Sequence, residues 1–141
     1  MSAFRILAYA FVSVCGLIVI AGLPGCSVFP SDIDNSRKRD VVGCYYVEDD
    51  LVLEATLDDL RLSERERMAY SVASHNIGLA LLPASKLRLR TGRNGRWELF
   101  QIAGNSEFVP YQNAGAGGLA LTGIDGRVTL SRRRPCRREL R

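Results

Sequence analysis

Leu87-Arg88-Leu89-Arg90-Thr91-Gly92-Arg93-Asn94-Gly95-Arg96-Trp97-Glu98-Leu99 is the stretch that decides the fold. Leu87 and Leu89 alternate with Arg88 and Arg90, so a strand places both leucines on one face and both guanidiniums on the other. Asn94-Gly95 tolerates positive φ and closes hairpins between runs of this kind. The return strand, 96–102, turns Trp97 and Leu99 inward and Glu98 outward, within reach of Arg88 or Arg90. Trp97, the only tryptophan, is assigned to the core. An aromatic among arginines can also stack a sugar or a base, but no second exposed aromatic accompanies it in the sequence.

The same alternation extends outward. Residues 41–47 and 51–57 are rich in β-branched and aromatic residues and read as strands joined across Glu48-Asp49-Asp50. Residues 107–112 form a further strand, which Pro110 demotes to a sheet edge. A last hairpin joins 119–122 to 127–131 through Gly123-Ile124-Asp125-Gly126, with Leu119, Leu121, Val128 and Leu130 as its buried face. Ser63-Glu64-Arg65-Glu66 has the form of a capping box, and Met68, Ala69, Val72 and Ala73 follow at helical spacing, so 64–74 reads as a short helix. The expected architecture is a small α+β domain, mostly β. Its six or seven antiparallel strands form a twisted sheet or a partly open barrel with one short helix.

The amino-terminal stretch settles a different question. Arg5 precedes an almost unbroken apolar run, 6–23, followed by Pro24-Gly25-Cys26. A positive end, an apolar middle and small residues before a cut are the layout of a secretory signal. Leu23-Pro24-Gly25-Cys26 resembles the lipobox of bacterial lipoproteins. That resemblance implies cleavage before Cys26, lipidation of Cys26 by acyl chains, and membrane anchoring through them. Pro24 departs from the family, which usually has Ala, Ser, Thr or a small aliphatic residue there. Ser27 follows where an Asp would signal retention in the inner membrane, so the resemblance implies an outer-membrane anchor with the domain facing the periplasm. The alternative is an uncleaved single-pass anchor, since about 18–20 apolar residues can span a bilayer.

The division of the chain is therefore a signal peptide over 1–25, a flexible tether over 26–40, and a single β-rich domain over 41–141. Cleavage leaves 116 residues, enough for one small core. Few apolar positions interrupt the polar tether, whose Arg37-Lys38-Arg39 cluster can lie on anionic head groups or simply be solvated. Of the 4 cysteines, Cys15 leaves with the signal and Cys26 takes lipid. Cys44 and Cys136 remain, bracketing nearly the whole domain, and in an oxidising compartment they are expected to pair. Reduced buried thiols are the cytosolic alternative.

The formal net charge is +4, and nearly all the positive charge is arginine, the residue suited to bidentate contact with phosphate and carboxylate. The chain closes with Arg132, Arg133, Arg134, Arg137 and Arg138 around Cys136, a candidate surface for an anionic envelope component or protein partner. A basic tail commonly points to nucleic acid; an exported domain has none to meet, and no nucleic-acid partner is expected. The acidic cluster over 48–59 lacks the calcium-loop spacing. With a single histidine, His75, and no Cys-x-x-Cys pair, no metal site is expected. Ser71, Ser74 and His75 stand too close to form a triad on one helix, and the glycines of 113–118 precede no Gly-Lys-Ser/Thr, so neither a catalytic residue nor a cofactor is expected. The sequence thus favours a non-catalytic, membrane-anchored binding or assembly module. A lysozyme-type hydrolase inhibitor is the alternative, weakened because the Ser-Gly and Tyr loop of such inhibitors is missing.

Overall fold

Alternating apolar residues place most of the described residues in strands. In the computed structural model the described residues are 32–75, 78–113 and 115–137, all within the unit Ser31–Arg141. The strands are β1 (Asp32–Ile33), β2 (Gly43–Val47), β3 (Asp50–Ala55), β4 (Leu60–Arg61), β5 (Arg67–Met68), β6 (Tyr70–His75), β7 (Gly78–Pro83), β8 (Lys86–Thr91), β9 (Trp97–Ile102), β10 (Val109–Gln112), β11 (Gly118–Thr122), β12 (Val128–Leu130) and β13 (Arg132–Arg134). A 3-10 turn, Asn35–Arg37, leads into the helix α1 (Lys38–Val41).

All strand pairs named here are antiparallel. One sheet runs β1-β6-β7-β10-β11-β12 and a second runs β13-β2-β3-β4-β5, while β8 and β9 form a separate hairpin. The sheets are small and do not close into a barrel. The hairpin has the expected register, Leu89 opposite Leu99 and Arg90 opposite Glu98, and Arg90 Nε donates to Glu98 at 2.6 Å. Leu89 is also bridged to Gly123, so the hairpin abuts the turn after β11.

Among the described residues one apolar cluster draws on all three sheets: Tyr45, Val52, Leu53, Leu60, Val72, Leu81, Leu89, Leu99, Leu119 and Leu121 are all buried within it. Each fully buried leucine contributes about 2 kcal/mol by removal of apolar surface from water. Tyr70 links the sheets, its hydroxyl donating to the Thr56 carbonyl at 2.5 Å. Burial raises that hydroxyl's pKa from 10.0 to about 12, with Asp59 and Asp58 adding to the shift.

The chain passes from one sheet to the other at Ser131, between β12 and β13. Ser131 is fully buried, and its backbone N–H and Oγ both donate to the Leu119 carbonyl, at 2.9 and 3.0 Å. The Leu119 N–H returns a bond to Oγ at 2.9 Å. A buried hydroxyl with all its partners supplied fixes the crossing at one register.

Four expectations are corrected. The helix lies at Lys38–Val41, not over 64–74. Ser63 Oγ does accept from the Arg65 and Glu66 amides, at 3.4 and 3.2 Å, but the chain then doubles back, with Leu62 N–H bonded to the Glu66 carbonyl at 2.9 Å. Those bonds close a turn between β4 and β5 as well as they would start a helix. Beyond it Met68, Tyr70 and Val72 are buried at period two, and β6 finds partners on both sides, β1 and β7.

The segment expected to be a free tether joins the fold from Asp32 onward. Asp34 Oδ1 accepts from Ser36 N–H at 3.1 Å, and Asn35 Oδ1 accepts from Val72 N–H at 3.2 Å, so short polar side chains carry on where the β1 ladder ends. The strand holding Pro110 is not an edge, for β10 lies between β7 and β11. Proline is tolerated there because Pro110 pairs only with Ala80 of β7, while β11 meets β10 at Tyr111 and Gln112. Finally, Leu119 and Leu121 are buried, but Val128 and Leu130 are 65% and 50% exposed, because β12 is the edge of its sheet and nothing covers its outer face among the described residues.

Candidate functional site

The arginines of the carboxy-terminal segment are separated by strand geometry. In β13, Arg133 stands opposite Tyr45 of β2, and Arg132 and Arg134 stand opposite Tyr46 and Cys44. Tyr45 points into the core and is fully buried, so Arg133 shares the inner face of the ladder; Arg132 and Arg134 take the outer face.

On the outer face a cleft of about 380 Å³ opens between β2, β3 and the start of β9. Arg134 lies with its guanidinium carbon 5.4 Å from the Tyr46 ring centroid and Nη1 3.5 Å from Asp49 Oδ1. Trp97 borders the same cleft, half-buried, its backbone N–H donating to Asp50 Oδ2 at 2.9 Å. Arg96 and Arg137 complete the cationic rim. Cys44 and Cys136 form a disulfide, with sulfurs 2.03 Å and Cα atoms 5.0 Å apart, which fixes the chain between Arg134 and Arg137. Asp50 serves Trp97 and Asp49 serves Arg134, leaving Arg96 and Arg137 free of ion pairs among the described residues. Trp97, packed on one side against the core, and Tyr46, whose ring carries Arg134, border the cleft with three guanidiniums, an arrangement that can contact a ring while pairing with an acidic group on it.

On the inner face, Arg133 reaches a second, wider groove of about 800 Å³ with Arg37 and Arg39. Its Nη1 donates to the Asp40 carbonyl at 2.6 Å, and its guanidinium lies 5.6 Å from the Tyr111 ring centroid. Arg37 Nε binds Asp40 Oδ2 at 2.8 Å. Tyr45 borders Arg133 from the core side, and its hydroxyl donates to the Val41 carbonyl at 2.5 Å. Burial, with Tyr111 adding, holds the Tyr45 hydroxyl well above its ordinary pKa against the opposing pull of Arg133.

Family models, curated proteins and solved structures were compared with the chain, and none matches.

Of the expected site residues, the two cysteines come together, Arg134 and Arg137 share the outer cleft, and Arg133 stands apart from them on the inner face. Arg132 is exposed and lines neither cleft. Cys26 and Arg138 lie outside the described residues, as does the apolar run 6–23. Among the described residues no helix is long and apolar enough to cross a membrane. Cys44, Cys136 and Glu54 bring potential metal-ligand atoms within 4.8 Å of one another, but the two sulfurs are bonded to each other, so no thiolate pair is offered. His75 ends β6, where it pairs with Gly78, and not a helix.

Trp97 packs against the core as assigned, though only half-buried, and also borders the cleft, a role that sequence reasoning missed together with those of Tyr46 and Arg96. The only signal was the outward parity of Tyr46 against Tyr45, which a bulge between Tyr45 and Tyr46 makes hard to project across the sheet. The second aromatic that a stacking site needs is supplied by the fold and is 51 positions from Trp97 in the chain.

A third charged group lies away from both clefts. Glu107 accepts from Arg88 and Lys86, each at 2.7 Å, and those bonds, Arg88's first, hold its carboxyl down from 4.5 to about 2. A depressed carboxylate stabilises the fold above its unfolded pKa and loses that contribution as pH falls from about 4.5 toward 2. We predict a carboxyl NMR titration of Glu107 with a midpoint near 2, moving up toward the ordinary value in Arg88→Ala; a wild-type midpoint near 4.5 would contradict the geometry.

Proposed function

We propose that this chain is a lipid-anchored envelope protein, attached through Cys26 to the outer membrane and facing the periplasm. Its domain acts by binding and not by catalysis, and its partner is an anionic saccharide. The observation that carries this reading is the juxtaposition of Trp97 and Tyr46 with Arg96, Arg134 and Arg137 in one cleft. The rings suit the flat apolar face of a sugar, and the guanidiniums suit a carboxylate or phosphate on it. The lipobox-like Leu23-Pro24-Gly25-Cys26 and the Cys44–Cys136 disulfide support an exported location.

Trp97 is the only tryptophan and borders the cleft, so tryptophan fluorescence of the folded protein arises at this site. Titration with carboxylate-bearing glycan fragments released from peptidoglycan is expected to change the emission saturably, and neutral chitin oligosaccharides of equal length are expected to bind more weakly. Each charged hydrogen bond contributes about 1.5–3 kcal/mol, so Arg137→Ala should weaken binding about tenfold or more while Arg132→Ala leaves it unchanged. Equal responses to acidic and neutral fragments, or none, would remove this reading.

A further inference from the structure

We infer that the inner groove bearing Arg37, Arg39 and Arg133 is a docking face for the phosphate-rich surface of the membrane that anchors the protein. The inference rests on the reading of Cys26 as the lipid attachment point. Cys26 stands six residues before Asp32, the first residue of β1. A chain extends at most about 3.6 Å per residue, so Asp32 lies within roughly 22 Å of the anchored cysteine. A domain of this size has a radius of gyration of about 13 Å and hence a width of roughly 34 Å. The tether is shorter than the domain is wide, so orientations that turn the β1 side fully away from the membrane are excluded.

That side is the one that carries the groove. Asp32 pairs with Ser74, whose Cα is about 5 Å across an antiparallel ladder, and Ser74 lines the groove with Arg37, Arg39 and Arg133. Asp40 is the one acidic residue in the lining. It takes Arg37 through its carboxylate and Arg133 through its backbone carbonyl, which orients both guanidiniums. Arg39 is exposed and makes no ion pair among the described residues. Three arginines against one carboxylate leave a net positive face at the point where the tether enters, which matches an anionic lipid surface. Because Arg133 and Arg134 project from opposite faces of β13, docking through this groove leaves the Trp97 cleft open.

The test uses the full mature chain, extracted from membranes and reconstituted into vesicles of phosphatidylglycerol or of phosphatidylcholine alone, with intact mass measured on the same sample. Hydrogen exchange is followed in peptides covering 35–41 and 132–134. Docking predicts an acylated mass and slower exchange of both peptides on phosphatidylglycerol than on phosphatidylcholine, a difference removed by high salt. Arg39→Gln should reduce the difference roughly fivefold; the side chain is exposed, so the fold is retained. Arg132→Gln should not alter it. An acylated protein whose exchange is the same on both vesicles overturns the docking face and leaves the anchor standing. A mass matching the unprocessed chain overturns the anchor and, with it, the tether argument on which the docking face depends.

Discussion

Replacing both Cys44 and Cys136 by serine is expected to lower the stability of the domain by as much as about 4–5 kcal/mol, the chain-entropy value for a closed loop of this length. The two residues are 92 apart in sequence, so the bond removes a large part of the freedom of the unfolded chain. It also acts locally. β13 is a three-residue edge strand whose ladder partner is β2, with one further backbone bond from Arg133 N–H to the Gly117 carbonyl at 3.0 Å, and the disulfide joins Cys136 to the residue that faces Arg134 in the ladder. Without the bond the strand is expected to fray and Arg134 and Arg137 to leave the cleft, so the saccharide binding proposed above should fall with stability. Urea unfolding of wild-type protein with and without reductant measures the first effect, and Trp97 fluorescence titration at low urea measures the second. Coincident unfolding curves would show that the crosslink constrains nothing.

Gly118→Ala is expected to be as damaging although it adds one methyl group. A Cβ at Gly118 would stand 1.8 Å from the Ser131 carbonyl oxygen and 2.9 Å from its carbon. The obstacle is backbone, and it belongs to the residue at which the chain crosses between sheets. Overpacking costs about 1–3 kcal/mol where side chains can shift; here the Ser131–Leu119 bonds would have to break, so the loss should reach or exceed the top of that range. Gly95→Ala is the useful contrast. Nothing lies within 4 Å of a Cβ there, and the cost is confined to φ +74, about 1–2 kcal/mol. Thermal unfolding of the two variants should rank Gly118→Ala well below Gly95→Ala. Equal midpoints would mean that the crossing is not rigid.

The strands were legible where one face meets the core and the other meets water. Leu87, Leu89 and Leu99 lie where their alternation put them, and Asn94-Gly95 closes their hairpin. The small, mostly β fold followed from that pattern; the one short helix among the described residues did not, for it lies at Lys38–Val41 and not over 64–74. Legibility failed where a local signal fits two structures. The Ser63 hydroxyl and the amides after it form the same bonds in a turn as in a helix start, and only the neighbouring strands β1 and β7 decide between them. The polar run 32–40 looked free because its stabilisation comes from Asp34 and Asn35 side chains and from a ladder partner about 40 residues away. Val128 and Leu130 looked buried because period-two alternation names a face without saying whether a second layer covers it.

The candidate site was legible only in part. The arginine-rich segment pointed to an anionic partner, but reading it as one patch ignored the alternation that divides Arg133 from Arg134. The aromatic half of the cleft comes from β2 and β9, strands remote in sequence. No periodicity within either strand shows that Tyr46 and Trp97 share a rim.

We propose a lipid-anchored, disulfide-closed domain that presents this cleft in an oxidising compartment. Intact mass of the protein extracted from the membrane fraction of a Gram-negative host, under non-reducing conditions, tests it most directly. The expected mass is that of a polypeptide beginning at Cys26, heavier by its acyl chains and lighter by the two hydrogens lost in joining Cys44 to Cys136. A mass matching Met1–Arg141 with free thiols would contradict it.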